Sequence, residues 1–205
     1  MLKQNEKSRS IQMKIGGILS AIPLSPNQWT IISLIVAVIA AYFIITGELI
    51  YGLVLFVLAG LLDLIDGAVA RARNEATKLG GFLDGISDRL VEALFLFSMM
   101  FYPLPDVFID SKIWLALLIF LGTCMPSFVR AYADHNQAIN HEKAKAMGGI
   151  FERSERIILI VLGMVLGIFF SMEYFVYAVI LAVILSAVTV IQRIYIVMKE
   201  GGKND

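Results

Sequence analysis

Six apolar stretches, near residues 28–46, 50–70, 82–102, 113–132, 154–172 and 174–198, take up most of this 205-residue chain. Each approaches the roughly 20 residues that a helix needs to cross the hydrocarbon core of a bilayer. The chain is therefore read as all-α, a polytopic membrane protein of six transmembrane helices. Composition agrees, with 59% hydrophobic residues and a mean hydropathy of +0.80, against roughly 45–50% apolar residues in soluble domains. Residues 1–205 are expected to form a single membrane domain, with 1–25 as a cytoplasmic, juxtamembrane segment.

No apolar region with a small-residue cleavage site precedes the first span, so the N-terminus is expected to be retained. Within it Ile11, Met13, Ile15, Ile18 and Leu19 alternate with Gln12 and Lys14. That pattern suggests a short helix lying in the membrane interface until Pro23 and Pro26 break it. A disordered basic tail is the other reading.

Basic residues divide unequally when the connecting segments are taken alternately. One side collects Lys3, Lys7, Arg9, Lys14, Arg71, Arg73, Lys78, Arg130, Lys143, Lys145, Arg153, Arg156, Arg193, Lys199 and Lys203, and the other offers only Lys112. Lys and Arg near span ends stay cytoplasmic, so both termini are expected there, in a cell membrane. The formal net charge of zero conceals this asymmetry. The basic face suits anionic lipid headgroups or phosphates; no nucleic-acid partner is expected.

Four aspartates interrupt the oil, in the pattern D-x2-D-G-x2-A-R-x8-G-x3-D-x3-D formed by Asp63, Asp66, Gly67, Ala70, Arg71, Gly80, Asp84 and Asp88. A carboxylate near the centre of a membrane helix costs about 2.5–3.5 kcal/mol on the lenient insertion scale, so these acids need compensation. The polar stretch Asn74 to Leu79 predicts a turn between two antiparallel helices. Asp63 and Asp88 then lie at one depth, Asp66 and Asp84 at another, and steps of three and four residues keep Asp63 with Asp66 on one face of the first helix and Asp84 with Asp88 on one face of the second. Gly67, Ala70, Gly80, Gly81 and Gly85 remove bulk along the seam, permitting close helix approach or leaving a slot for a flat ligand; Gly81 and Gly85 are read mainly as packing.

Oxygen-only ligands favour a hard cation, Mg²⁺ first and Mn²⁺ second, over zinc. Magnesium keeps its waters and sits between carboxylates and phosphates, which implies a phosphorylated substrate and allows a two-metal clamp. Arg71 at the hairpin mouth suits a diphosphate oxygen. The alternative is a set of structural ion pairs with Arg71, Arg73, Arg89 and more distant arginines, which membrane burial penalises. Cys124 is read as packing, which leaves no cysteine-based metal site, and His135 and His141 as solvated.

Over these residues the chain resembles the CDP-alcohol phosphatidyltransferase family, matching its signature at every specified position from Asp63 to Asp88. The resemblance implies a CDP-linked lipid donor, CDP-diacylglycerol or CDP-archaeol, an alcohol acceptor, release of CMP, and a homodimer. It further implies that Asp63, Asp66 and Asp84 ligate metal, and that Asp88 helps to do so while acting as general base. Gly67, Ala70, Arg71 and Gly80 would contact the donor. Pro26-Asn27-Gln28-Trp29-Thr30 is similar to the family's entrance to its first span, with Asn27 or Thr30 near the donor phosphates. Helix capping by Asn27 or Thr30 is the alternative there.

Phe151 to Arg156 resembles a stretch of the members that use inositol phosphate, with Ser154 in place of a proline. Arg153 and Arg156 share a helix face, and Arg130 ends the preceding span, giving a basic pocket for a phosphorylated acceptor such as inositol 1-phosphate. A basic membrane rim paired with Glu152 and Glu155 is the plainer reading. Lys143 or Lys145 is a further candidate for reaching the acceptor. Glycerol 3-phosphate, serine or another alcohol would serve the same chemistry. The rivals from other classes are an intramembrane prenyltransferase and a divalent-cation transporter.

Overall fold

In lipid a backbone must satisfy its own hydrogen bonds, and helices do so within one segment. The computed structural model describes residues 22–73 and 75–201, and among them every regular element is helical apart from an isolated bridge between Val107 and Ile109. The expected interfacial helix before Pro23 lies outside the described residues. Contacts divide the chain into two units, Met1–Phe95 and Leu96–Asp205.

In the first unit, α1 is Pro26–Ile45, α2 Leu49–Ala72, and α3, Lys78–Met99, runs past the unit's end at Phe95. Ser25 opens α1 with a capping box: its hydroxyl accepts from the Gln28 N–H at 3.3 Å, and the Gln28 side chain accepts from the Ser25 N–H at 2.7 Å. Pro26 follows at the helix start, where its missing N–H costs nothing. The cap is thus neither Asn27 nor Thr30, and both side chains are left for other use.

α1 closes with the Gly47 N–H on the Ile44 carbonyl at 3.0 Å and the Glu48 N–H on the Phe43 carbonyl at 2.8 Å. This pair needs a left-handed residue between, supplied by Gly47 at φ 88°. The chain turns back at once into α2. At Gly52 a Cβ would fall 2.4 Å from Ile44 Cγ1 and 3.2 Å from the Ala40 carbonyl oxygen, so only glycine allows this approach. Further along, the Ser33 hydroxyl donates to the Ala59 carbonyl at 2.8 Å. Phe56 of α2 and Phe95 of α3 stack with ring centroids 4.1 Å apart.

In the second unit, α4 (Ser111–Leu118) passes through a π-helical turn, Ile119–Cys124, into α5 (Met125–His135); then come α6 (His141–Lys145), α7 (Arg153–Phe169) and α8 (Met172–Gly201). Pro126 explains the wide turn, because its ring would clash with the carbonyl four residues back in a regular helix. Cys124, at the end of that turn, is exposed rather than packed as expected. α7 meets α8 where a Cβ on Gly163 would lie 2.3 Å from that of Ala178. The segment before α7 is pinned by Thr189 of α8, whose hydroxyl accepts from the Phe151 N–H at 3.1 Å and lies 3.2 Å from the Phe151 carbonyl. Lys143 of α6 is held by Glu200, and His141 lies 3.0 Å from Asp134.

Among the described residues four helical stretches are long and apolar enough to cross a membrane: Pro26–Ile45, Leu49–Ala72, Ser111–His135 and Met172–Gly201. The protein is multi-pass. The other two expected spans correspond to α3, which carries Lys78, Asp84, Asp88, Arg89 and Glu92, and to α7, which has only 17 residues.

Candidate active site

The site forms where α1, α2 and α3 of the first unit bring polar side chains together. Asp63 and Asp66 project from one face of α2 and are 4% and 3% exposed; Asp84 of α3 is half-buried. One carboxylate oxygen from each of these three lies within 4.8 Å of the others. Asp88 falls outside that grouping, one turn further along α3, and accepts from Arg89 Nη1 at 3.3 Å.

Burying like charges this close is costly without a compensating cation. One contribution comes from α1: the Thr30 hydroxyl, freed from capping, donates to Asp66 Oδ2. Asp66 Oδ1 is buried without a hydrogen-bond partner among the described residues. Convergent carboxylate oxygens, one with a lone pair unsatisfied, fit a hard divalent cation such as Mg²⁺ or Mn²⁺.

Beside the carboxylates opens a cavity of about 250 Å³. Its walls include Asn27 and Thr30 of α1, Asp66, Gly67, Ala70 and Arg71 of α2, and Gly80, Gly81 and Asp84 of α3, with Ser25 and the link residues Glu75 and Thr77. Thr77 shapes the entrance of α3 by accepting from the Gly80 N–H at 2.9 Å. Arg73 anchors the segment just before α1, donating to the Leu24 carbonyl at 2.8 Å and the Ile22 carbonyl at 2.6 Å.

The glycines hold this space open. A Cβ on Gly67 would come 3.2 Å from Arg71 Nη1, so the guanidinium lies over a position that has no side chain. On Gly80 it would meet Thr77 Oγ1 at 3.1 Å and Asn27 Oδ1 at 3.7 Å. Gly81 has no atom within 4 Å of that point, and at Gly85 the nearest is Arg89 Nη1 at 3.9 Å, so neither glycine serves the packing expected of it. All six residues expected around a donor, Asn27, Thr30, Gly67, Ala70, Arg71 and Gly80, line the one cavity, together with Asp66 and Asp84 but without Asp63 or Asp88. Sequence reasoning missed Ser25 and Thr77, although a Ser before Pro26 and a Thr before Lys78 are both N-cap signals.

The arginines belong to the second unit. Arg130 of α5 and Arg153 of α7 are half-buried, and Arg156 is 4% exposed. Glu152 and Glu155 spend part of their capacity on the start of α7, where Glu155 accepts from the Glu152 N–H at 3.1 Å and the two form a capping box. Arg193 of α8 is buried as well, donating to the Pro126 carbonyl at 2.5 Å with Nη2 3.8 Å from Glu152. A lone arginine in so apolar a helix was its signal in the sequence.

Comparison with known proteins matches residues 23–195 to the CDP-alcohol phosphatidyltransferase model. An archaetidylinositol phosphate synthase of Pyrococcus horikoshii is 36% identical over 184 residues, which cover 89% of this chain and 88% of that protein. The crystal structure of Mycobacterium tuberculosis phosphatidylinositol phosphate synthase with CDP-DAG bound superposes with a TM-score of 0.78 at 23% identity, covering 96% of this chain and 98% of that one. The same mycobacterial protein in complex with manganese and citrate gives 0.77 at 24%, covering 95% and 92%. At such identities these two structures speak for the fold alone. The family model and the archaeal relative go further, and on them the chain belongs to the CDP-alcohol phosphatidyltransferase family and is an enzyme of that kind.

Proposed function

We propose that the enzyme moves a phosphatidyl or archaetidyl group from a CDP-lipid to inositol 1-phosphate, releasing CMP, with divalent cations held by Asp63, Asp66, Asp84 and Asp88. The observation that carries this reading is the cavity that gathers the expected donor residues against the carboxylates. Arg71 pairs with the donor diphosphate. Gly67, Ala70 and Gly80 leave room for the nucleoside, and Asn27 and Thr30 lie toward its phosphates. Two bound Mg²⁺ or Mn²⁺ ions would neutralise diphosphate charge and so favour departure of CMP.

Asp88 takes the proton of the acceptor hydroxyl as its oxygen bonds to the phosphorus bearing the lipid. The bond from that phosphorus to the bridging oxygen breaks, and the oxygen leaves on CMP. Arg130, Arg153 and Arg156 receive the phosphate of the acceptor; relatives named archaetidylinositol phosphate synthase support inositol 1-phosphate for that place. α3 and α7 cross the membrane with the other four stretches, giving one catalytic domain of six spans whose termini and cavity face the cytoplasm, preceded by an interfacial helix and assembled as a homodimer.

The purified enzyme, given a CDP-lipid and Mg²⁺ with inositol 1-phosphate, glycerol 3-phosphate, inositol or serine in separate reactions, tests the acceptor. Turnover with inositol 1-phosphate alone supports the reading. Turnover with another of the four keeps the donor chemistry and replaces the acceptor.

A further inference from the structure

Gly122 sits in the π-helical turn between α4 and α5, fully surrounded. A Cβ there would fall 2.9 Å from Leu118 Cδ1, 3.0 Å from Arg156 Cδ and 3.2 Å from Ser186 Oγ. The stem of Arg156 therefore crosses the helix at the one place with no side chain, between this turn and Ser186 of α8. Ser186 is wholly buried, and its hydroxyl has no hydrogen-bond partner among the described residues. An arginine keeps its guanidinium on target only if its long stem is confined, because each free rotor spreads the charged end over several ångströms.

We propose that Gly122 is a positioning and specificity-determining residue: by admitting the Arg156 stem it fixes the guanidinium that receives the acceptor phosphate. The inference rests on the acceptor reading given above. The leucine and serine neighbours can yield by rotating, but the Cδ of Arg156 lies mid-stem, so displacing it carries the guanidinium along. A misplacement of about 1 Å is enough to cost on the order of 100-fold in rate where a charged clamp orients a reactant.

The test compares steady-state kinetics of Gly122→Ala, Arg156→Ala and Gly167→Ala with the wild type. Gly167 serves as the control, since a Cβ there would crowd Met172 Sδ at 3.0 Å and Phe175 Cβ at 3.1 Å, equally tight but away from any arginine. Gly122→Ala is expected to raise the KM for inositol 1-phosphate roughly tenfold or more and to leave the donor KM within about twofold, whereas Gly167→Ala moves neither. If Gly122→Ala does not fold, Leu118→Val with Gly122→Ala removes the leucine contact and keeps the arginine one, and is read in the same way. An unchanged acceptor KM in the glycine variant, beside a raised one in Arg156→Ala, overturns the positioning role alone. Arg156→Ala without effect on the acceptor overturns the acceptor reading and this inference with it. Equal rises in both KM values for both glycine variants would show a merely structural effect and also overturn it.

Discussion

The hydroxyl of Thr30 donates to the carboxylate of Asp66, joining the first turns of α1 to the middle of the carboxylate cluster on α2. This contact fixes the direction in which Asp66 offers its other oxygen. Outer groups of this kind commonly account for about 10–100-fold in metal affinity. Thr30→Val keeps the shape and removes the donor. The Mg²⁺ concentration for half-maximal CMP release should rise about tenfold, and an unchanged metal titration would show that Thr30 does not orient a ligand.

Removal of metal should abolish turnover completely, since among the described residues Arg71 is the one cation on the cavity wall. After dialysis against a chelator, Mg²⁺ or Mn²⁺ should restore activity, with oxygen donors favouring both over zinc. Asp63→Asn and Asp84→Asn should each shift the metal titration and the donor KM together. A shift in one without the other would separate the cluster from the cavity.

Asp88 lies outside the group of three and beside Arg89, at 3.3 Å. As the proposed general base it should contribute to proton transfer more than to donor binding. Asp88→Asn should lower the rate of CMP release by about 10²–10⁴ while CDP-lipid binding, read by ligand-induced thermal shift, stays near wild type. Equal loss of binding would leave Asp88 a metal ligand alone and remove it as general base.

The floor of the cavity is a vacancy made by glycine. Gly67→Leu would place a branched side chain under the Arg71 guanidinium. Its donor KM should rise on the order of tenfold or more, with little change for the acceptor. Unaltered donor kinetics would move the nucleoside elsewhere.

Two glycines give an internal contrast in stability. Gly163→Ala drives a methyl group to 2.3 Å from Ala178 Cβ and should cost about 1–3 kcal/mol by overpacking. Gly81→Ala enters open space in a helix and should be neutral or stabilise by up to about 1 kcal/mol. Thermal unfolding in detergent reads both, and the reverse order would contradict the helix seam between α7 and α8.

The aspartate hairpin was legible because helical periodicity acts over short range: steps of three and four residues put Asp63 beside Asp66, and the turn residues set the fold-back. Asp88 shares the depth of Asp63 but stands one turn beyond Asp84, outside the three carboxylates whose oxygens lie within 4.8 Å of one another. Thr30 was ambiguous for a physical reason. A threonine near a helix start serves equally as a cap or as a donor to another helix, and Ser25 with Pro26 took the cap.

Cys124 failed differently. The π-helical turn inserts an extra residue, and one residue rotates the following face by roughly 100°, so a register drawn through the fourth apolar stretch misjudges what faces inward. Only Pro126 marked the turn. Lys143, expected free for a substrate, is taken by Glu200, 57 positions away, a distance over which sequence pattern carries no pairing information. α3 reads weakly as a span because the acids that make the site also lower its hydropathy.

The central claim is that the Asp63, Asp66 and Asp84 cluster and the adjoining cavity cleave a CDP-lipid. It is tested most directly by measuring CMP release from a CDP-lipid by the purified enzyme with inositol 1-phosphate, with and without Mg²⁺, beside the Asp66→Asn variant. The account predicts CMP release that requires metal and is lost in the variant. Metal-dependent release that survives Asp66→Asn, or no release in any arm alongside divalent-cation flux through proteoliposomes, would contradict it.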